Sequence, residues 1–248
     1  MTALTPATPA TPPELLAPGD QRHQLARRLT GLDRAMLVFY VALALCEAAM
    51  AILRAGWPSA VALDATSLLV LLGFCVMRSW RRIVSRLLVL GMTAGVFELF
   101  TDASGERVVH SLLYPAHEPM IWASPVYMPI AWTIVLTELG YLAWRAPSLF
   151  PALSMRGVVA LCALVGAVTV PFYEEMAYYA GWWRYAGAPH LGHTPLYVIA
   201  FEGLVAAILP FVTARLARRG FQYAVTMGAI VGVWMPVVAL ISWLLLGR

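Results

Sequence analysis

A chain of 248 residues that is 61% hydrophobic and 12% charged, with a mean hydropathy of +0.75, is composed for lipid. A soluble domain carries roughly 25% charged residues. All seventeen basic residues are Arg and none is Lys, which excludes Schiff-base chemistry, a retinal-type pigment and a lysine phosphate loop. The net charge of +4 does not mark a nucleic-acid binder, because the arginines stand at the ends of apolar runs, where they orient membrane helices.

Residues 1–20, "MTALTPATPATPPELLAPGD", are Pro/Thr/Ala-rich and lack the basic and apolar regions of a signal peptide, so a disordered tail is expected. Residues 21–34, with Arg22, Arg27, Arg28 and Arg34, predict a basic interfacial segment. The remainder, 35–248, reads as one transmembrane domain. Seven apolar runs follow at 35–53, 58–77, 83–101, 125–144, 157–176, 196–214 and 222–246, each near the length that crosses hydrocarbon as a helix. The stretch 108–117, "VVHSLLYPAH", is too short to span and predicts an interfacial or re-entrant piece. No internal repeat stands out. Cys46, Cys75 and Cys162 fall inside apolar runs without paired spacing, as core-filling residues do.

Thirteen arginines fall on one side of these spans, and Arg54, Arg107, Arg184 and Arg248 on the other. The positive-inside rule then puts the N-terminus in the cytoplasm and the C-terminus outside. The predicted fold class is all-α: a polytopic bundle of seven transmembrane helices in the plasma membrane, with long outer loops at 102–124 and 177–195.

An ionisable group within a membrane helix marks function by default. The first six spans carry Glu47, Asp64, Glu98, Glu138, the pair Glu174 and Glu175, and Glu202, while the seventh carries none. Asp102 follows Glu98 by one turn and shares its face if the helix continues. Arg54 and Arg184 are the nearest basic residues, both at the outer edge. Carboxyls desolvated without a cationic partner favour the neutral form. The alternative is that individual acids join helices or meet interfacial water.

The stretch "VPFYEEMAYYAGWWRYAGAPHLGHTPLY", 170–197, surrounds the paired acids with rings. Helical spacing puts Glu174 with Tyr178, and Glu175 with Tyr179 and Trp182, on shared faces. Aromatic faces attract cations. A neutral carboxyl in such a box can protonate an alkene or epoxide and shelter the carbocation. The competing reading is an interfacial belt, since Trp and Tyr also anchor helices at membrane surfaces. Thr194 and Pro195 read as N-cap and first-turn proline of the sixth helix. His110, His117, His190 and His193 gather at the outer mouth, but they are too few for a histidine-box oxygenase and suit proton transfer better. No metal or other cofactor is expected. No Asp-rich diphosphate motif, nucleophile elbow, dinucleotide fingerprint or phosphate loop is present.

The pattern "PFYEE…YAGWWRY…GHTPLYVIAFE", with "PVYMPIAWTIVLTELGY" before it, resembles small bacterial multi-spanning proteins over roughly residues 120–212. These are similar in size to integral membrane terpene cyclases, whose fungal members have seven spans and a pair of acids that start cyclisation by protonation. The resemblance implies an isoprenoid cyclase of lyase or isomerase type. It does not assign the acids one by one, and the candidates rest on the physical argument. Glu174 and Glu175 lead as the proton donor, with Glu202, Glu98 and Asp102 tuning or reprotonating it. Tyr173, Tyr178, Tyr179, Trp182, Trp183, Trp122 and His193 would meet substrate. The implied partners are an apolar isoprenoid and the lipid bilayer, with no nucleic acid. The alternatives are a proton-coupled carrier using the same acids as a relay, a carotenoid-modifying membrane protein, and a structural subunit.

Overall fold

The computed structural model describes residues 30–248; the expected tail, 1–20, and most of the basic segment 21–34 lie outside them. The fold is all-α, about three-quarters helical. Its long helices are α1 (Gly31–Leu53), α2 (Trp57–Val76), α3 (Arg81–Arg107), α4 (Met128–Leu149), α5 (Met155–Ala180), α6 (Leu196–Thr213) and α7 (Phe221–Leu246). Six of them are long and apolar enough to cross a membrane; α4 is the exception. Glu138 and Arg145 lower its hydropathy, and both are buried in the bundle.

Local chemistry sets the helix ends. Thr30 and Asp33 form a capping box, so α1 begins before the expected apolar run. Ser154 caps α5, which ends on Gly181 in the left-handed conformation. Thr194 does not cap α6: Pro195 takes that position, and the Thr194 hydroxyl is buried without a partner. The α3 helix runs past the expected 101 to Arg107, which keeps Glu98 and Asp102 on one buried face.

Three two-residue ladders occupy the long loops, which hydropathy did not foreshadow. β1 (Leu112–Leu113) pairs with β4 (Arg184–Tyr185), so the segment 108–117 joins one loop to the other. β2 (Met120–Ile121) and β3 (Ser124–Pro125) form one hairpin, and β5 (His190–Leu191) and β6 (Thr194–Pro195) form a second.

The two loops follow one plan, which corrects the expectation of no repeat. Positive φ occurs at His110, His117 and Trp122 in the first loop, and at Gly181, Gly187 and Gly192 in the second. The Val126 amide donates to the Pro119 carbonyl as the Leu196 amide donates to that of Pro189. Ser124 and Thr194 are fully buried at matching hairpin positions. The helices before and after each loop pack alike. α3 crosses α4 where a Cβ on Gly95 would meet the Pro129 carbonyl oxygen at 2.4 Å; α5 crosses α6 where one on Gly166 would meet Ala206 at 2.7 Å. Glycine permits both close approaches. The helical core is thus two helix–loop–helix units, with α7 against α3 and α1 against α5.

At the end where α1 begins, Arg145 of α4 clasps Asp33 of α1. Its Nε donates to Oδ1 at 2.9 Å, and a terminal nitrogen donates to Oδ2 at 3.0 Å. The Tyr141 hydroxyl completes the cluster at 2.6 Å from Oδ1. The sequence singles out Arg54 and Arg184 as the basic residues nearest the intramembrane acids; Asp33, which pairs with Arg145, is not among those acids.

Candidate active site

Between the two units lies a cavity of about 560 Å³ under the two long loops. Its walls carry seven carboxyl side chains: Glu47, Asp64, Glu98, Asp102, Glu138, Glu174 and Glu202. Among the described residues, no Arg or His lines it. Each of the first six helices therefore turns an acid to one space, and the rest of the wall is mostly apolar and aromatic.

On α3, Glu98 and Asp102 are within hydrogen-bonding reach of each other, and Glu98 also faces Trp132. The Tyr114 hydroxyl donates to Asp102 Oδ2 at 2.5 Å, and Ser124 donates to the same oxygen. Two carboxyls in contact resist ionising together. Donors converge on Asp102, while Glu98 Oε2 has no hydrogen-bond partner. On α5, Glu174 accepts from Trp183 Nε1 at 2.7 Å and from the Tyr185 hydroxyl at 3.3 Å.

Tyr114 and Tyr185 occupy equivalent places, each just beyond its strand of the β1–β4 ribbon or within it, and each faces an acid on the preceding helix. Burial pushes both phenols well above their ordinary range, so they serve as donors. Tyr127 and Tyr197 form a second equivalent pair in the cavity wall, immediately after the two hairpins. The Tyr127 hydroxyl faces Glu118, and that of Tyr197 lies 2.8 Å from Ser111 Oγ. These tyrosines were not in the sequence-predicted site. The available signal was the shared order Pro, Ser or Thr, Pro, Tyr in residues 119–127 and 189–197.

Of the predicted acids, Glu174, Glu202, Glu98 and Asp102 line the cavity, as do Tyr173, Trp182 and Trp183. Glu175, Tyr178, Tyr179, Trp122 and His193 do not. Glu175 lies outside because adjacent helical residues point about 100° apart, and Glu174 takes the inward direction. Its carboxylate instead binds the second hairpin, accepting from the His193 amide at 2.6 Å and pairing with His193 Nδ1 at 2.7 Å. Tyr178 stacks on that imidazole with ring centroids 3.5 Å apart. Trp122 plays a similar part in the first hairpin, where Phe100 and Arg107 hold it. Nor does Trp182 continue the Glu175 face. The chain has already turned at Gly181, and the Trp182 indole donates to Ser59 Oγ at 2.9 Å, pinning the loop to α2.

Among the described residues, no three His, Cys, Asp or Glu side chains converge as metal ligands. His110 and His117 instead take positive φ, and His193 clamps the second hairpin.

Comparison with curated proteins gave no match, and comparison with solved structures gave none. One family model matches residues 99–246, from the C-terminal part of α3 through both loops to the end of α7. That region holds both equivalent tyrosine pairs, Asp102, Glu138, Glu174 and Glu202. The match spans more than half of the chain, and the protein belongs to the family described as Domain of unknown function (DUF6989).

Proposed function

We propose that the protein is an integral membrane enzyme that protonates and cyclises, or otherwise rearranges, an uncharged isoprenoid. The observation that carries this reading is one cavity lined by seven carboxyls and many aromatic rings, with no cationic side chain in its wall among the described residues. Such a wall suits a substrate with no anionic head, and a transition state with positive charge. All seven long helices would cross the membrane, with the N-terminus cytoplasmic and the C-terminus external. The arginine distribution supports that orientation. In this arrangement α4 is a polar span shielded by its neighbours, and the plasma membrane is the site of action.

The chemistry follows from the carboxyl pair. Glu98 gives its proton to an alkene carbon or an epoxide oxygen and becomes a carboxylate whose charge the new substrate cation offsets, while Tyr114 and Ser124 donate to the Asp102 carboxylate. Electrons of a second alkene close on the cation. Loss of a proton from the adjacent carbon to a carboxylate forms the product alkene. The net change is an isomerisation. Glu174, with Trp183 and Tyr185, stands on the second unit where the cation or the departing proton would be met. Tyr173 and Trp132 offer faces to the positive charge.

Incubation of the protein, reconstituted in phospholipid nanodiscs, with linear isoprenoid alkenes and terminal epoxides in deuterated buffer tests this. The expected product is a cyclic isomer, carrying one carbon-bound solvent deuteron from an alkene and a new hydroxyl, whose deuteron is exchangeable, from an epoxide. Unchanged substrates across chain lengths of ten to thirty carbons would remove the reading.

A second reading is a proton-coupled carrier using the same acids. The two helix–loop–helix units favour it, because many carriers place a binding site between structural repeats. Its test is acid-driven uptake of a solute into proteoliposomes without chemical change.

A further inference from the structure

We infer that the cavity opens sideways into the bilayer, between the outward end of α3 and α7, so its ligand is a lipid-dissolved chain and not a water-borne solute. This rests on the spanning arrangement proposed above and deepens it, but it does not depend on the proton-transfer chemistry.

The cavity wall is buried or half-buried except at four residues: Ser104 and Val108 at the end of α3, and Val237 and Leu240 on α7. Val108 is 75% exposed, Leu240 56% and Val237 45%. All the exposed wall therefore lies along one seam. Three of its side chains are apolar, and the Ser104 hydroxyl is bound to the Phe100 carbonyl at 2.9 Å.

The helices part there for a local reason. Below the seam they are in tight contact. A Cβ on Gly228 would meet the Leu90 carbonyl oxygen, and one on Gly232 would meet Phe97, each at 2.5 Å. Four residues after Gly232, α7 contains Pro236, which removes a helical hydrogen bond and bends or loosens a helix. Pro236, Val237 and Leu240 then face the cavity. Further out on α7, Leu244 and Leu245 are exposed and apolar, which keeps the opening at the level of hydrocarbon. On the water side the cavity is roofed by the β1–β4 ribbon, with Ser111 and Leu112 buried in its wall.

The test uses a diazirine analogue of geranylgeraniol in nanodiscs of palmitoyl-oleoyl phosphatidylcholine. Labelled residues are mapped by peptide mass spectrometry. Wild-type protein should be labelled at cavity residues such as Trp132 and Trp243. Filling the seam with Val108→Trp or Val237→Trp should slow cavity labelling by about tenfold, because access to an enclosed site then limits the rate. Leu45→Trp, at an exposed position on α1, should leave it unchanged. Leu240→Ala, which widens the opening without adding bulk, should speed it. Cavity labelling at the wild-type rate in both Trp variants and in Leu240→Ala would overturn the route while leaving the cyclase reading standing. Equally fast cavity labelling by a small water-soluble diazirine alcohol would also overturn it. Absence of cavity labelling in the wild type would overturn both this route and an isoprenoid ligand.

Discussion

Tyr114 and Tyr185 stand at the same step of two like-built loops, and each hydroxyl donates to a carboxyl on the helix just before it, Asp102 and Glu174 respectively. The ribbon between the loops brings Leu113 opposite Arg184, so the two tyrosines lie on either side of one junction. Two units of one plan thus present one tyrosine–carboxyl pair each to a common cavity. Removing either hydroxyl strips a buried acid of a donor, which costs about 1–3 kcal/mol. Tyr114→Phe and Tyr185→Phe should each lower the thermal unfolding midpoint in nanodiscs. Tyr179→Phe, at an exposed position, should not.

The Asp33–Arg145 pair should behave as a buried ion pair. Both side chains are more than nine-tenths buried, and the carboxylate accepts from Arg145, Tyr141 and Thr30. Leaving one charge unpaired costs about 3–5 kcal/mol. Asp33→Asn and Arg145→Met should each lower the unfolding midpoint strongly, and the double variant should lose less than the two combined. Additive losses would show that the pair does not join α1 to α4.

How much of this was legible in the sequence depended on which physical signal each feature left. Hydropathy found the long helices to within a few residues, because apolar runs are long and redundant. It misplaced the start of α4, since Ser124 and Pro125 belong to a hairpin and not to a span. Cost picked out Glu98, Asp102, Glu174 and Glu202, because carboxyls are rarely tolerated within helices that cross lipid. It could not separate Glu174 from Glu175; helical rotation does. The repeat was hidden because backbone geometry preserves it while side chains differ. Trp122 and Gly192 share a positive φ at the first turn position of their hairpins, yet have nothing else in common. The loop tyrosines escaped span-based reasoning because an uncharged phenol carries no such cost; their signal was the shared Pro, Ser or Thr, Pro, Tyr order of the two loops.

The second hairpin is fastened by Glu175 and by Gly192. At φ +63°, Gly192 adopts a conformation that other residues rarely take, and a Cβ there would lie 2.1 Å from Glu175 Oε1. Gly192→Ala should therefore destabilise the outer loop by about 1–3 kcal/mol through strain and loss of the Glu175–His193 contact. Faster amide exchange confined to residues 186–197 would be the sign of it.

Glu118 supplies a pH dependence in the first long loop. Burial in the loop pushes its carboxyl up from the ordinary 4.5 to about 7, with the Tyr127 hydroxyl facing it. The folded loop then holds a proton that the unfolded chain releases near pH 4.5. The associated stability is full below that pH, declines as pH rises towards about 7, and changes no further above it. Hydrogen exchange of residues 114–127, corrected for intrinsic rates, should be slower at pH 5 than at pH 8. Glu118→Gln should remove that difference.

The central claim is that the acids within the cavity, and not the acid beside them on the helix surface, perform the chemistry. It is tested most directly by comparing Glu98→Gln, Glu174→Gln and Glu175→Gln for turnover of a cyclisable isoprenoid in nanodiscs. The amide keeps shape and most hydrogen bonding but cannot donate the proton. Glu98→Gln should lose about 10²–10⁴-fold in turnover, with Glu174→Gln altering the product pattern or rate. Glu175→Gln should retain near wild-type turnover while loosening the second hairpin. Full activity in Glu98→Gln and Glu174→Gln, with loss in Glu175→Gln alone, would contradict the account.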